Sequence, residues 1–461
     1  MNRLVIVSNR IPDPDERVLP AGGLAIGLTD VLRDEPSSLW FGWSGNQEDR
    51  NREQTVHQNV CGKTVYATLD LSAKHRKGYY QRFCNAIIWP LFHYRLGLMD
   101  YHRADWESYV DVNQLFARKL LPLLRPNDTI WIHDYHLFLL GHELRELNVT
   151  APIGFFLHIP FPPWSLFRAL PHGEDILRHL SACDIIGLQT EEDAANMNEC
   201  FRLFGFPQRA AAFPIGIDPK RFAREAQEAT QGDEYARLKT SLQGRPLIIG
   251  ADRLDYSKGL QERLTGYEKL LTRFPEHRGR VTYLQVTPIS RKEVEEYRLL
   301  RRQLDEQIGR INGMFAQFDW TPVRYLTQTV PRHILAGFYR LADVGLVTPL
   351  RDGMNLVAKE FIAAQDPERP GALVLSTLAG AAPELPDAIL INPHDPDDIA
   401  EALHLAINMS SSEKKQRWQS LNSAVQASTA GNWSRTFLTE LRTAHAKNTE
   451  DSAAAGQDYD S

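Results

Sequence analysis

Residues 345–360 read GLVTPLRDGMNLVAKE. An apolar strand at Leu346–Val347 runs into a turn carrying Arg351, Asp352 and Gly353. A helix-compatible run then starts at Met354 and carries Lys359 and Glu360. In α/β proteins ligands sit where a strand ends and the next helix begins. The helix start offers unpaired backbone N–H groups to an anion such as a diphosphate. Asp352 suits sugar hydroxyls and Glu360 suits a ribose. Taken alone, a charged turn capping a helix is the better reading. A second stretch, GADRLDYSKGL at 250–260, changes that balance. It follows the apolar run Leu247–Ile249 and sets Arg253 and Lys258 in a strand-to-helix connection, with Gly259 allowing a tight backbone. Two cations there suit a diphosphate, at about 1.5–3 kcal/mol for each charge-assisted hydrogen bond. A leaving nucleotide gains negative charge as its bond breaks, so these cations favour the transition state.

Further groups lie at other apparent strand ends. Ser8, Asn9 and Arg10 follow the first apolar run, and AGGL (Ala21–Leu24) brings Gly22 and Gly23, whose backbone can approach a phosphate or sugar closely. This is not GxGxxG, which disfavours a nicotinamide dinucleotide. WIHDYH (131–136) offers Asp134 to sugar hydroxyls, and FFLHIPFP (155–162) offers His158, although a lone histidine is more often a satisfied core residue. In YYQRFCNAIIWPLFHY (79–94), Tyr80 and Trp89 could stack on a hexose, with core packing the better reading for most of these aromatics. TPISRK (287–292) offers Arg291 as a phosphate ligand. HDYH is not HExxH, no spacing suits a metal, and GxxxxGK[ST] is absent, so neither a metal centre nor P-loop ATP hydrolysis is expected. Cations and carboxylates without a nucleophilic triad suit a diphosphate-activated group on one side and a phosphorylated acceptor on the other.

The elements that must hold these groups read as α/β. Continuous apolar runs occur at Leu4–Val7, Thr129–Ile132, Gly154–Ile159 and Ile185–Leu188. They recur at Leu247–Ile249, Val281–Val286, Tyr325–Leu326, Val344–Val347, Ala372–Leu375 and Ala388–Ile391. Such runs predict parallel strands buried on both faces. Helical patterns follow, for example at Gln261–Phe274, Arg332–Leu341 and Asp397–Asn408. The expected architecture is two Rossmann-like doubly wound domains facing a cleft. The expected divisions are 1–235, 236–430, a helix over 431–447 able to pack back on the first domain, and a disordered tail at 448–461. The 461 residues carry a formal charge of −6, which disfavours nucleic acid as a partner. Cys61, Cys84, Cys183 and Cys200 form no CxxC pair, which suits reduced thiols and a cytoplasmic setting. No apolar run approaches the length of a membrane span, and the N-terminus reads as a strand rather than a signal peptide. Small molecules are the expected partners, and a homo-oligomer is left open.

With these motifs in hand, the chain resembles the trehalose-6-phosphate synthase family of retaining glycosyltransferases. The match runs through VSNR, AGGL, WFGWSG, NAIIWPLFHYR, WIHDYHL, FFLHIPFP, PIGID, RLDYSKGL, GRINGMF, GLVTPLRDGMNLVAKEF and AGAAPEL, in that order. The resemblance implies a GT-B fold, with the acceptor bound by 1–235 and the nucleotide sugar by 236–430. It implies transfer of glucose from UDP-glucose to glucose 6-phosphate, with UDP-glucose as a co-substrate and no further cofactor. It assigns Arg253 and Lys258 to the donor diphosphate and the backbone of Leu356, Val357, Ala358, Lys359 and Glu360 to the same group, with Glu360 on the ribose. Asp352, Gly22 and Gly23 would hold the donor glucose, His158 would touch it near its reacting face, and Tyr339 would lie near the base. Arg10, Tyr80, Trp89, Asp134 and Arg291 would bind glucose 6-phosphate. The catalytic set is then His158, Arg253, Lys258 and Asp352. IPFPPWSLF and the short stretch between Thr190 and Pro214 depart from the family pattern without touching these positions. Competing readings are a relative using GDP- or ADP-glucose or an acceptor such as glycerol 3-phosphate, and a non-catalytic sugar-phosphate sensor. The sensor would be expected to lack Arg253, Lys258 or Asp352.

Overall fold

The protein is represented by a computed structural model that describes residues 3–12, 23–47, 55–289 and 294–457. Gly22 and Arg291 lie outside the described residues; Gly23 opens the helix Gly23–Asp34. The chain forms two α/β units, Met1–Ile215 with Ala430–Ser461, and Gly216–Thr429. The first division therefore falls ahead of the expected 235. The polar stretch read as a linker is two helices, Pro219–Ala229 and Asp233–Leu242, that pack on the helix Arg332–Leu341 of the second unit. Their buried residues are few, Phe222 and Ala226 among them, so the apolar pattern is faint in the sequence.

The first unit is built on eight strands, β1 (Arg3–Arg10), β2 (Ser38–Gln47), β3 (His57–Cys61), β4 (Thr64–Leu71), β5 (Asp128–His133), β6 (Ile153–Phe156), β7 (Ile185–Leu188) and β8 (Ala210–Ala212). Their order is β3-β4-β2-β1-β5-β6-β7-β8, parallel except for the β3–β4 hairpin. Alternate residues serve opposite faces. Phe155 packs on Phe138 and Ile132 faces Gly141, while Trp131 and Phe156 pack against Phe437. Phe437 and Trp433 belong to the helix Ala430–Gln457, which covers this second face. Farther along it, His445 and Asn448 reach Asp184 at 3.1 and 3.2 Å. Helix thus continues to Gln457, into the segment expected to be disordered.

The second unit holds β9 (Leu247–Ala251), β10 (Thr282–Val286), β11 (Val323–Leu326), β12 (Val344–Val347), β13 (Ala372–Ser376) and β14 (Ile389–Ile391). All are parallel, in the order β11-β10-β9-β12-β13-β14. Counted within the unit this is the dinucleotide-fold order 3-2-1-4-5-6, which reverses direction between β9 and β12. Val344 and Leu346 join an apolar core with Leu260, Leu264, Leu304, Ile399 and Leu403, while Gly345 between them lies against Phe361 on the other face. The α/β reading and the doubly wound parallel sheets are borne out in both units.

Candidate active site

In the second unit the reversal point between β9 and β12 gathers both motifs that the sequence singled out. β9 ends at Ala251 and leads through Arg253 to a single turn of 3₁₀ helix, Tyr256–Lys258. Gly259 closes that turn with φ +61 and lies so close to the Thr348 carbonyl oxygen beyond β12 that a Cβ would collide with it. Only glycine meets both conditions. The loop is anchored from below by Arg263, which is wholly buried and pairs with Asp252 at 2.6 Å, Thr348 Oγ1 at 2.9 Å and Gln285 Oε1 at 3.2 Å. Lys258 Nζ donates to Asp352 Oδ2 at 2.5 Å, and Asn355 Nδ2 donates to the same oxygen at 3.0 Å. Burial works against the Lys258 charge, but Asp352, Asp252 and Asp255 outweigh it and hold the ammonium above its ordinary range. Arg253 is exposed and makes no ion pair among the described residues. The site therefore presents one guanidinium to solvent and one oriented ammonium already balanced by a carboxylate.

The helix Leu356–Ala364 begins beside this pair. Asn355 caps it from a left-handed backbone (φ 89), its side chain accepting from Ala358 N–H at 3.2 Å. Of the five amides assigned to a diphosphate, that of Ala358 is therefore capped, and those of Lys359 and Glu360 fall past the helix's unpaired first positions. Leu356 and Val357 remain suited to an anion. The Lys359 side chain is buried and donates to Glu384 at 2.8 Å, so it braces the AGAAPEL segment. Glu360 is pushed up to about 7 by burial, which the nearby Arg332 opposes at 3.6 Å. Tyr339 is 1% exposed and packs among Phe222 and Phe361, so it offers no open face to a base and supports the site from within.

In the first unit the corresponding reversal lies between β1 and β5. Arg10 ends β1 with its side chain exposed. Its guanidinium lies over Gly45 (φ +93), where a Cβ would come within 2.5 Å of Arg10 Nε. Asp134 follows β5 with φ 76, its N–H bonded to Phe156 O at 2.7 Å and its Oδ1 accepting the His158 N–H at 3.3 Å. Tyr80 stacks on His136 with ring centres 5.9 Å apart and meets Trp43 edge-on. It sits in a wide-wound segment, Arg76–Ile88, whose π-helical turns run on to Trp89. Trp89 is 5% exposed and packs against His93 and Tyr135, so core packing describes most of its surface.

His158 follows β6 and is half-buried, but its ring is enclosed by His133, Phe156, Gln189 and Trp433. That enclosure lowers its imidazole to about 3, so it is neutral at physiological pH. Sequence reading did not find Gln189, His133, Arg263, Asp252 or Asn355. None belongs to a spacing pattern. The only available signal was a run of polar residues at strand ends.

The Glycosyltransferase family 20 profile matches residues 3–443. A trehalose-6-phosphate synthase of Sinorhizobium fredii is 44% identical over 456 residues, covering 96% of this chain and 98% of that one. The solved α,α-trehalose-phosphate synthase (UDP-forming) from Burkholderia xenovorans in complex with glucose-6-phosphate superposes with a TM-score of 0.92 at 40% identity, covering 96% of this chain and 100% of the other. The trehalose-6-phosphate protein from E. coli bound with UDP-2-fluoro glucose gives 0.90 at 44% identity, covering 95% and 99%.

Proposed function

The chain belongs to glycosyltransferase family 20, and on that footing we propose that it moves glucose from UDP-glucose to glucose 6-phosphate, yielding α,α-trehalose 6-phosphate and UDP. The observation that carries the donor half is the Arg253–Lys258–Asp352 arrangement at the reversal point of the second unit. Arg253 and Lys258 are assigned to the diphosphate, Leu356 and Val357 to its oxygens through their amides, Asp352 to the donor glucose and Glu360 to the ribose. Gly22 and Gly23 are kept for the donor sugar and His158 for its reacting face. Arg10, Tyr80, Asp134 and Arg291 are assigned to glucose 6-phosphate, with Trp89 as the wall behind them.

The mechanism that suits these groups is attack by the acceptor hydroxyl on the face the diphosphate leaves, with a diphosphate oxygen taking the hydroxyl proton. The C–O bond to the new sugar forms as the bond to the diphosphate breaks, and the anomeric configuration is retained. Lys258 and Arg253 take up the negative charge that accumulates on the leaving group. Retaining glycosidases instead set two carboxyl groups about 5–5.5 Å apart. At the donor site Asp352 Oδ2 accepts from both Lys258 and Asn355. The protein acts on small molecules; no helix of the described residues is long and apolar enough to cross a membrane. The test is incubation of the purified protein with UDP-, GDP- and ADP-glucose against glucose 6-phosphate and glycerol 3-phosphate, products being identified by mass. A glucosylated product formed only with another base or acceptor would overturn the assignment.

A further inference from the structure

We propose that Gln189 and His133 are positioning residues that hold His158 as one neutral tautomer, its proton on Nε2 and its lone pair on Nδ1. The inference rests on the assignment of His158 to the reacting sugar and states the form in which that ring acts. The direction of the hydrogen-bond chain comes from the backbone. The Ile215 amide can only donate, and it lies 3.0 Å from Gln189 Oε1. That contact fixes which end of the carboxamide is oxygen. The other end, Nε2, then donates to His158 Nδ1 at 3.3 Å, which must be an unprotonated acceptor. Turning the amide over would oppose two N–H groups at Ile215, with Gln189 buried.

With Nδ1 an acceptor, the neutral ring carries its proton on Nε2, which donates to His133 Nδ1 at 3.1 Å. His133 is itself fully buried and then keeps its own proton on Nε2, which has no hydrogen-bond partner among the described residues. The rings of Trp131 and Trp433 lie near it, with centres 4.5 and 6.2 Å away. The relay therefore runs one way, from peptide to carboxamide to imidazole to imidazole, and no member carries charge. Among the described residues Asp134 is placed against His158, and its Oδ1 accepts the His158 backbone N–H at 3.3 Å. Burial lowers the basicity of both imidazoles, which agrees with the geometry. A neutral ring adds no cation beside a carbon that becomes electron-poor as the diphosphate departs.

The experiment is long-range ¹H–¹⁵N correlation on histidine-labelled protein without substrates, with the His158 signals assigned by their loss in His158→Asn. The expected spectrum is that of a neutral Nε2–H imidazole, unchanged between roughly pH 5.5 and 8.5. An Nδ1–H pattern, or a titration midpoint inside that window, would overturn the proposal. Gln189→Glu places a carboxylate oxygen against Nδ1 and should draw a proton there, seen as an Nδ1–H or imidazolium pattern. It should also lower kcat by about tenfold or more while the KM for glucose 6-phosphate holds within about twofold. Gln189→Met, of similar volume but without the donor, should give a mixture of tautomers in a protein of parental circular dichroism. Unchanged turnover in both variants would defeat the positioning role. The expected tautomer in a protein that transfers no glucose would leave the relay intact and remove the reaction assigned above.

Discussion

Lys258 and Asp352 bind each other in the structure, yet each is assigned to a different part of the donor. The two assignments are compatible because a carboxylate at 2.5 Å keeps the ammonium charged and aimed before any ligand arrives. Lys258→Ala and Arg253→Ala should each lower kcat by about 10- to 100-fold, equivalent to the loss of one charge-assisted hydrogen bond in the transition state. Steady-state kinetics with UDP-glucose would show it, and near-parental turnover in both variants would refute the diphosphate assignment. Arg291→Ala should chiefly raise the KM for glucose 6-phosphate. Glu360, held near 7 by burial, predicts a pH effect. If Glu360 holds the ribose as assigned, that contact loses an ionised acceptor as pH falls through about 7, so the donor KM should rise, and Glu360→Gln should flatten that dependence. Its folded value lies above the unfolded one, so its contribution to stability is complete below the unfolded value and is lost as pH rises through about 7. The Gln variant should therefore lose less stability on going from pH 5 to 8. At this scale the exposed cations and strand-end carboxylates were legible in the sequence. The buried partners were not, because Arg263, Asp252 and Gln189 act through packing and hydrogen bonds that leave no short motif.

The elements that carry these residues depend on a few backbone conformations. Gly259→Ala would force a Cβ into a left-handed turn and against the Thr348 carbonyl. It should cost about 2 kcal/mol or more. Chemical denaturation should show a lower midpoint, accompanied by a loss of donor binding because Lys258 precedes this residue. A parental midpoint would mean that the loop relaxes freely. Strands buried on both faces were the legible ones: β12 was expected at Val344–Val347 and lies there. β2, β3, β4 and β8 were missed for physical reasons. SLWFGWSGNQ is broken by glycines, every residue of β3 is exposed, β4 alternates buried and partly exposed positions, and β8 is three alanines. The helices at 219–242 were missed because they bury so few apolar residues.

Across the whole molecule, the last helix returns to the first unit after the chain has built the second. Phe437 is fully buried and lies against Trp131 and Phe156, beside the strands that end at His133 and Phe156. Phe437→Ala should destabilise the first unit by about 3–5 kcal/mol. Calorimetry that resolves two transitions should show one lowered and the other unmoved; equal shifts in both would mean that the units unfold together. The two parallel sheets and the chemical character of each reversal point were apparent from the order of apolar runs and charged turns. The division at 215 was not, since polar helices resemble a linker in sequence. The central claim is glucose transfer with retention onto a phosphorylated hexose. The most direct measurement is proton NMR of the reaction with UDP-glucose carrying ¹³C at its anomeric carbon, with glucose 6-phosphate as acceptor. The account predicts that labelled carbon in a new α-linkage, with UDP released in equal amount and only when the acceptor is present. A β-linkage, or label released as free glucose alone, would contradict it.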